Sequence, residues 1–403
     1  MASQGLAASA RQAVKGALCG DAAAIGTHWI YGKGNVGDRV GDSPAFARPD
    51  KANYVGPAYY AHGGKVPGEV THLGAAAQTA LRALAKGSPE GTNAFWPGVG
   101  NWRAEVDSAF GYGGSWVGYV DHATKDTLAN LGSAVATALA AAGAPEIVGS
   151  AANSLGGASA ESLGSAAYRE KLEAKIGELA AKDDAQEGAG NVDGTVLDAF
   201  VASLAGPKGS DGDTQTNALS KTTPVAALGV ALGLEEPVLD MVVEKAIRET
   251  QNNDESVLAI GTLLSILRSV LNGSSVPDAV HAAQAKLEST PGEKAAEYAA
   301  AGAKAIQLAA DGETDTVVVA NDHFGSSCPL PNTLPCLFHA LLTTDSYQSA
   351  VTALLLAGGD SAPRAAFAGA VFAAAGSPIP TAWTSICHEI LIEADELIDA
   401  VLQ

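Results

Sequence analysis

Three short segments place a carboxylate among small residues at the edge of an apolar helical pattern, where a side chain can face a ligand instead of a core. The first is Gly20-Asp21-Ala22-Ala23-Ala24-Ile25-Gly26-Thr27-His28-Trp29-Ile30-Tyr31. Asp21 and His28 lie seven apart, two helical turns, so both would face one cleft if the helix ran that far. The alternative is a C-terminal cap, with His28 and Trp29 packed on the loop that follows. The second is Gly209-Ser210-Asp211-Gly212-Asp213-Thr214-Gln215-Thr216-Asn217, in which Asp211 and Asp213 form an Asp-x-Asp pair among hydroxyl and amide oxygens. Such a donor set suits a hard cation, Mg²⁺ or Ca²⁺. The closing Glu of a twelve-residue calcium loop is missing, and Asp213 or Thr214 could equally cap the next helix. The third is Gly358-Gly359-Asp360-Ser361-Ala362-Pro363-Arg364. Here Gly358 and Gly359 permit close backbone approach, Pro363 fits a first helical turn, and a helix N-terminus can take a phosphate oxygen or ligand hydroxyl. Asp360 is then either the N-cap or a ligand-binding carboxylate.

Other reactive side chains offer less. Cys328, in Phe324-Gly325-Ser326-Ser327-Cys328-Pro329 with His323 close by, has no partners in sequence that would make it a nucleophile. His62, His72, His122, His281, His339 and His388 have no metal-ligand spacing and read as packing or solvent-facing residues. Four cysteines, none in a Cys-x-x-Cys pair, exclude a disulfide framework and point to a reducing compartment, the cytoplasm by default. The net charge of −20, with no basic patch, argues against nucleic-acid or anionic-membrane partners. No apolar run reaches the ~20 residues that span a bilayer.

The elements that must position these segments read as helices. Leu6, Ala10, Ala13, Val14 and Ala17 keep helical spacing, predicting a first helix from about residue 6 to 25, followed by a loop-rich stretch over 27–70. Helical periodicity returns over 73–86, from about 124, and then over 216–232, 237–250, 256–271, 278–287 and 294–309. Thr316 to Ala320 is the one β-branched run, 321–335 reads as a loop, and helices over 336–343, 346–357, 364–375 and 384–402 close the chain. With 47% hydrophobic residues but only 5% aromatics, the core must be built from small side chains that let helices approach closely. The expected fold is all-α, one domain over 1–403, with a low-complexity insertion at 145–209.

The first and third segments, in this order, resemble the ADP-ribosylglycohydrolase superfamily, whose chains open on a helix ending in Gly-Asp-Ala and carry a late Gly-Gly-Asp before an Ala/Gly-rich helix. His28-Trp29-Ile30-Tyr31, Tyr119-Val120-Asp121-His122-Ala123-Thr124-Lys125, Phe324-Gly325-Ser326-Ser327-Cys328 and Gly358 to Arg364 are similar to the J-crystallin-like branch. The resemblance implies an all-α fold with a cleft for two Mg²⁺ ions, where ADP-ribose is cut from an acceptor by metal-assisted attack of water. It also implies a Glu where His28 stands and a Thr-Asp-Asp-Thr where Thr71-His72-Leu73-Gly74 stands. The late motif should read Gly-Gly-Asp-x-Asp-Thr, where this chain has Ala362 and Pro363. Of that metal set Asp360 remains, with Asp213 and Asp211 as substitutes from another loop and Asp21 and Asp360 as candidate catalytic carboxylates.

Two expectations follow. One is a hydrolase-fold protein with its two-Mg²⁺ site largely lost, still taking an ADP-ribose-like small molecule at Asp21, His28, Asp211, Asp213, Gly358, Gly359 and Asp360. The other is a crystallin-like structural protein, a homo-oligomer or assembly component without catalysis.

Overall fold

The computed structural model describes residues 2–86, 115–130 and 209–403, together with Val106, Ala109 and Phe110. Most of the insertion expected at 145–209 lies outside the described residues. Among those described the fold is all-α, with isolated backbone bridges and no strand. The helices are α1 (Ala2–Ala23), α2 (Asn35–Val40), α3 (His72–Ala85), α4 (residues 122–130) and α5 (Asn217–Ala231). They continue with α6 (Glu236–Arg248), α7 (Asp254–Leu271), α8 (Val276–Ser289), α9 (Glu293–Ala310) and α10 (Leu330–Thr343). The last are α11 (Tyr347–Ala357), α12 (Ser361–Ala374), α13 (Thr381–Ile386) and α14 (His388–Leu402). None of the described helices is long and apolar enough to cross a membrane.

Helix α12 is buried along its whole length, which its sequence permits because SAPRAAFAGAVFAA has no polar face to turn outward. It packs most extensively on α1. The crossing is close because it runs through small residues. A Cβ on Gly16 would stand 2.6 Å from the Gly369 carbonyl oxygen, and one on Gly20 would stand 2.5 Å from that of Ala365. Helix α5 is the other buried rod, and both of its threonine hydroxyls are satisfied within the helix: Thr222 Oγ1 donates to Ala218 O at 2.6 Å and Thr223 Oγ1 to Leu219 O at 2.8 Å. The other helices surround this centre, α3 packing on α5 and α10, α11 and α7 touching α12.

Three local readings are corrected. Thr316–Val318 is a helical turn capped by Asp315, which accepts from Val317 N–H at 2.8 Å, and it runs into a π-helical turn over Val319–Phe324. Helix α10 begins at Leu330, six residues before the expected start at 336, because Pro335 so early in a helix removes only one bond. The single helix expected over 384–402 is two, α13 and α14, meeting at the buried Cys387.

Candidate functional site

Helix α1 ends at Ala23, so Asp21 and His28 do not share a helical face. After Ala23 the chain tightens into turns, with His28 N–H donating to Ala24 O at 2.9 Å. Asp21 is buried and turned to the start of α3, accepting from Thr71 N–H at 2.7 Å and Thr71 Oγ1 at 2.6 Å. Thr71 Oγ1 in turn caps α3 by accepting from Leu73 N–H at 3.1 Å. Burial lifts the Asp21 carboxyl to about 6, against the pull of its bonds to Thr71 and Gly74. The carboxylate thus fastens α1 to α3.

His28 is carried instead to the Gly-Gly-Asp turn. Trp29 N–H donates to Gly359 O at 2.7 Å and Gly359 N–H to Ile30 O at 2.7 Å, while Asp360 N–H donates to Ser326 O at 2.8 Å. Only glycine fits at 359: φ is +62° and a Cβ would lie 1.9 Å from Ser326 O. The guanidinium of Arg364, fully buried, holds the same turn by donating from Nε to Asp360 O at 2.9 Å and from Nη2 to Ser326 O at 3.0 Å and to Gly358 O. Trp29 itself takes φ +66°, a costly conformation for a bulky side chain that marks a place held by its surroundings.

Asp360 lies at the centre and is 1% exposed. Its Oδ2 accepts from Thr216 Oγ1 and its Oδ1 from Trp29 Nε1 at 3.3 Å. Burial raises its pKa, while Thr216, Arg364, Cys328 and Trp29 pull the other way. Beside it, burial pushes the Cys328 thiol well up, with the Asp360 charge adding to the effect, and Cys328 Sγ lies 3.7 Å from Tyr31 Oη. A thiol held protonated in this way is no nucleophile.

His28 Nε2 is 3.8 Å from Asp360 Oδ1, and its Nδ1 accepts from Ala362 N–H at 3.2 Å. On its other side stand His62, from the long loop, and His72, the first residue of α3. The ring centroids are 5.5 Å (His28–His62), 5.8 Å (His28–His72) and 5.6 Å (His62–His72) apart. One ring nitrogen of each comes within 4.8 Å of the others. All three are at most 1% exposed, and Trp29 stacks on His28 at 4.6 Å while Tyr119 sets its edge on His72 at 5.0 Å. Burial depresses all three pKa values, that of His72 to about 3, so the rings are neutral at physiological pH. His62 and His72 are buried, as the packing reading expects, and they also lie beside His28 and each other. Their spacing in sequence conceals the cluster because the long segment that carries α2 and the start of α3 bring them to His28.

The Asp211 and Asp213 loop reaches this centre through Thr216, not through its own carboxylates. Asp213 Oδ1 accepts from Gln215 N–H at 2.9 Å and Gln251 Nε2 at 3.1 Å, and Asp211 Oδ1 accepts from Asn252 Nδ2 at 3.0 Å. Asp213 lies instead in the field of Asp121, which accepts from Thr124 N–H and Oγ1 at 2.9 and 2.8 Å and from Asn217 Nδ2 at 3.0 Å. Nearby, Lys221 is buried in α5, its pKa lowered by desolvation against the pull of Glu249 and Asp121. Asp121, Thr124, Asn217 and Lys221 line a small pocket with Ala76 and Phe110. Spacing alone did not single out this second polar cluster.

Residues 157–403 match the ADP-ribosylglycohydrolase family profile. Among solved structures the chain is similar to one described as an ADP-ribosylglycohydrolase-related protein complex, with a TM-score of 0.54 and 14% identity, over 99% of this chain and 98% of that one. At that identity the likeness speaks for the fold. None of the curated proteins matches the chain. A profile match over more than half of the sequence, together with an all-α fold shared end to end with such a structure, means that the chain belongs to the ADP-ribosylglycohydrolase family.

Proposed function

We propose that this protein belongs to the J-crystallin-like branch of the family and that its two-Mg²⁺ centre has been dismantled, so that it does not hydrolyse ADP-ribosyl bonds by the metal-assisted route. The observation that carries this reading is the state of Asp360. Both of its oxygens already accept hydrogen bonds, from Thr216 and Trp29, and its neighbour across the site is the neutral imidazole of His28. Mg²⁺ demands hard oxygen donors in near-octahedral array, and one occupied carboxylate among nitrogens does not supply them. Asp213, the other candidate metal ligand, is committed to Gln215 and Gln251, and Asp21 to Thr71. Release of ADP-ribose from an ADP-ribosylated protein, measured with millimolar Mg²⁺, is expected to stay at the uncatalysed background. Turnover that depends on Mg²⁺ and disappears in Asp360→Asn would overturn the proposal.

A second reading, a structural or assembly protein, is supported by the burial of His28, His72 and Asp360, with Trp29 stacked on His28 and the edge of Tyr119 set on His72. ADP-ribose is then expected to leave the melting temperature unchanged. A rise with ligand concentration would instead support a retained nucleotide-sugar cleft.

A further inference from the structure

We propose that His28, His62 and His72 form a binding site for one borderline divalent transition-metal ion, Zn²⁺ in the first place, built from nitrogen donors. The first argument is hydrogen bonding. Both ring nitrogens of His62, both of His72 and Nε2 of His28 are buried without a partner. A buried polar group without a partner costs about 1–3 kcal/mol, and three such rings side by side would be replaced to advantage by apolar side chains if they only filled space. A cation that accepts one lone pair from each ring removes that cost at three of these five nitrogens.

The second argument is geometry. A zinc ion holds imidazole nitrogens at about 2.0–2.1 Å, which places three tetrahedral donors about 3.4 Å from one another. The three nitrogens already lie within 4.8 Å of each other, so small side-chain rotations bring them to the ion. Three imidazoles leave a fourth position for water or another small donor, and nitrogen donors select zinc, copper or nickel over magnesium.

The third argument is charge. Neutral imidazoles cannot compensate a buried dication, but the Asp360 carboxylate stands 3.8 Å from His28 Nε2 and is fixed there by Thr216 and Trp29. Lying beside the ligating nitrogen, it would balance the charge of the buried ion. One adjustment is required. Ala362 N–H donates to His28 Nδ1, which keeps the neutral ring's proton on Nε2, so coordination through Nε2 moves that proton to Nδ1 and gives up this 3.2 Å contact.

This inference does not rest on the loss of hydrolase activity, since a zinc site and an Mg²⁺-dependent reaction are read separately. The test uses full-length, tag-free protein stripped of metal by a chelator. About one equivalent of Zn²⁺ per chain is expected to survive dialysis, and Zn²⁺ but not Mg²⁺ should raise the melting temperature. Co²⁺ in its place should give the visible absorption of a tetrahedral site, a readout that needs no variant. His62→Ala and His72→Ala should lose the bound metal with helical circular dichroism retained, and Asp360→Asn should weaken it about 10–100-fold. Absence of uptake of Zn²⁺, Co²⁺, Ni²⁺ and Cu²⁺ by the folded wild type would overturn the proposal and leave ordered water as the partner of the rings. Uptake that is unchanged in the His62→Ala/His72→Ala double variant would overturn it as well.

Discussion

Asp21 shows how the environment decides what a carboxylate does. Its two oxygens take the amide and hydroxyl of Thr71, and Thr71 caps α3, so one side chain of α1 sets the start of the helix that carries His72. Burial lifts this carboxyl to about 6 from the 3.8 of a free chain, so between those values the folded form keeps a proton that the unfolded form releases. The stability contributed by Asp21 therefore grows as pH falls from about 6 towards 3.8 and is flat outside that window. A shift of this size is worth at most about 3 kcal/mol. In urea unfolding, wild type is expected to gain on Asp21→Asn by about 1–3 kcal/mol between pH 6.5 and 4, because the amide keeps the shape and does not ionise. A difference that is constant across that range would show that the carboxyl does not titrate there. The Gly-Asp pattern made Asp21 legible as a special residue, but not its task, because Thr71 lies fifty positions away and nothing local signals the contact. The histidine cluster was hidden for the same reason, since His28, His62 and His72 meet only after the loop has folded back.

At the scale of elements, sequence served best where periodicity was strong and worst where side chains of unusual backbone preference intervene. The central pair illustrates the first case: apolar and small residues at helical spacing mark α1, and an Ala-rich run marks α12. The region 316–335 illustrates the second, because β-branched residues and prolines suggest extended chain, yet Asp315 caps a helical turn there and α10 accommodates Pro331 and Pro335 near its start. Abundant glycine by itself did not say which glycines matter. Gly16 and Gly20 do, because each opposes a backbone carbonyl of α12 at a distance no Cβ tolerates. Gly20→Ala should push the two helices apart and cost about 1–3 kcal/mol, a clear drop in melting temperature, as overpacked cores generally do. Gly5, with nothing near it, is the control: Gly5→Ala should be neutral or slightly stabilising, since alanine is the better helix former. Equal effects of the two substitutions would show that the close crossing does not govern packing at this interface.

For the whole molecule the question is what unites the N-terminal helices with the region that carries the family profile. Arg11 and Lys15 of α1 pair with Asp395 and Asp399 of α14, but these groups are 20–59% exposed, and such pairs contribute about 0–1 kcal/mol each. The apolar contacts are far larger. Val14 and Leu18 of α1 and Leu73, Leu81 and Leu84 of α3 are almost fully buried, each worth about 1.5–3 kcal/mol, so their sum is comparable with the 5–15 kcal/mol by which a domain is stable. Their absence would also bare the α12 face that packs on α1, and α12 has no polar side to present to water. A fragment of residues 157–403, the whole of the family match, is therefore expected to lack a cooperative thermal transition and to be degraded quickly by protease, whereas Arg11→Ala in the full chain should shift the melting temperature only slightly. A sharp melt of the isolated fragment would mean that α1 and α3 only decorate an independent core. That outcome would also detach His28, His62 and His72 from the structure that holds Asp360, since all three imidazoles come from the N-terminal part and the carboxylate from the other.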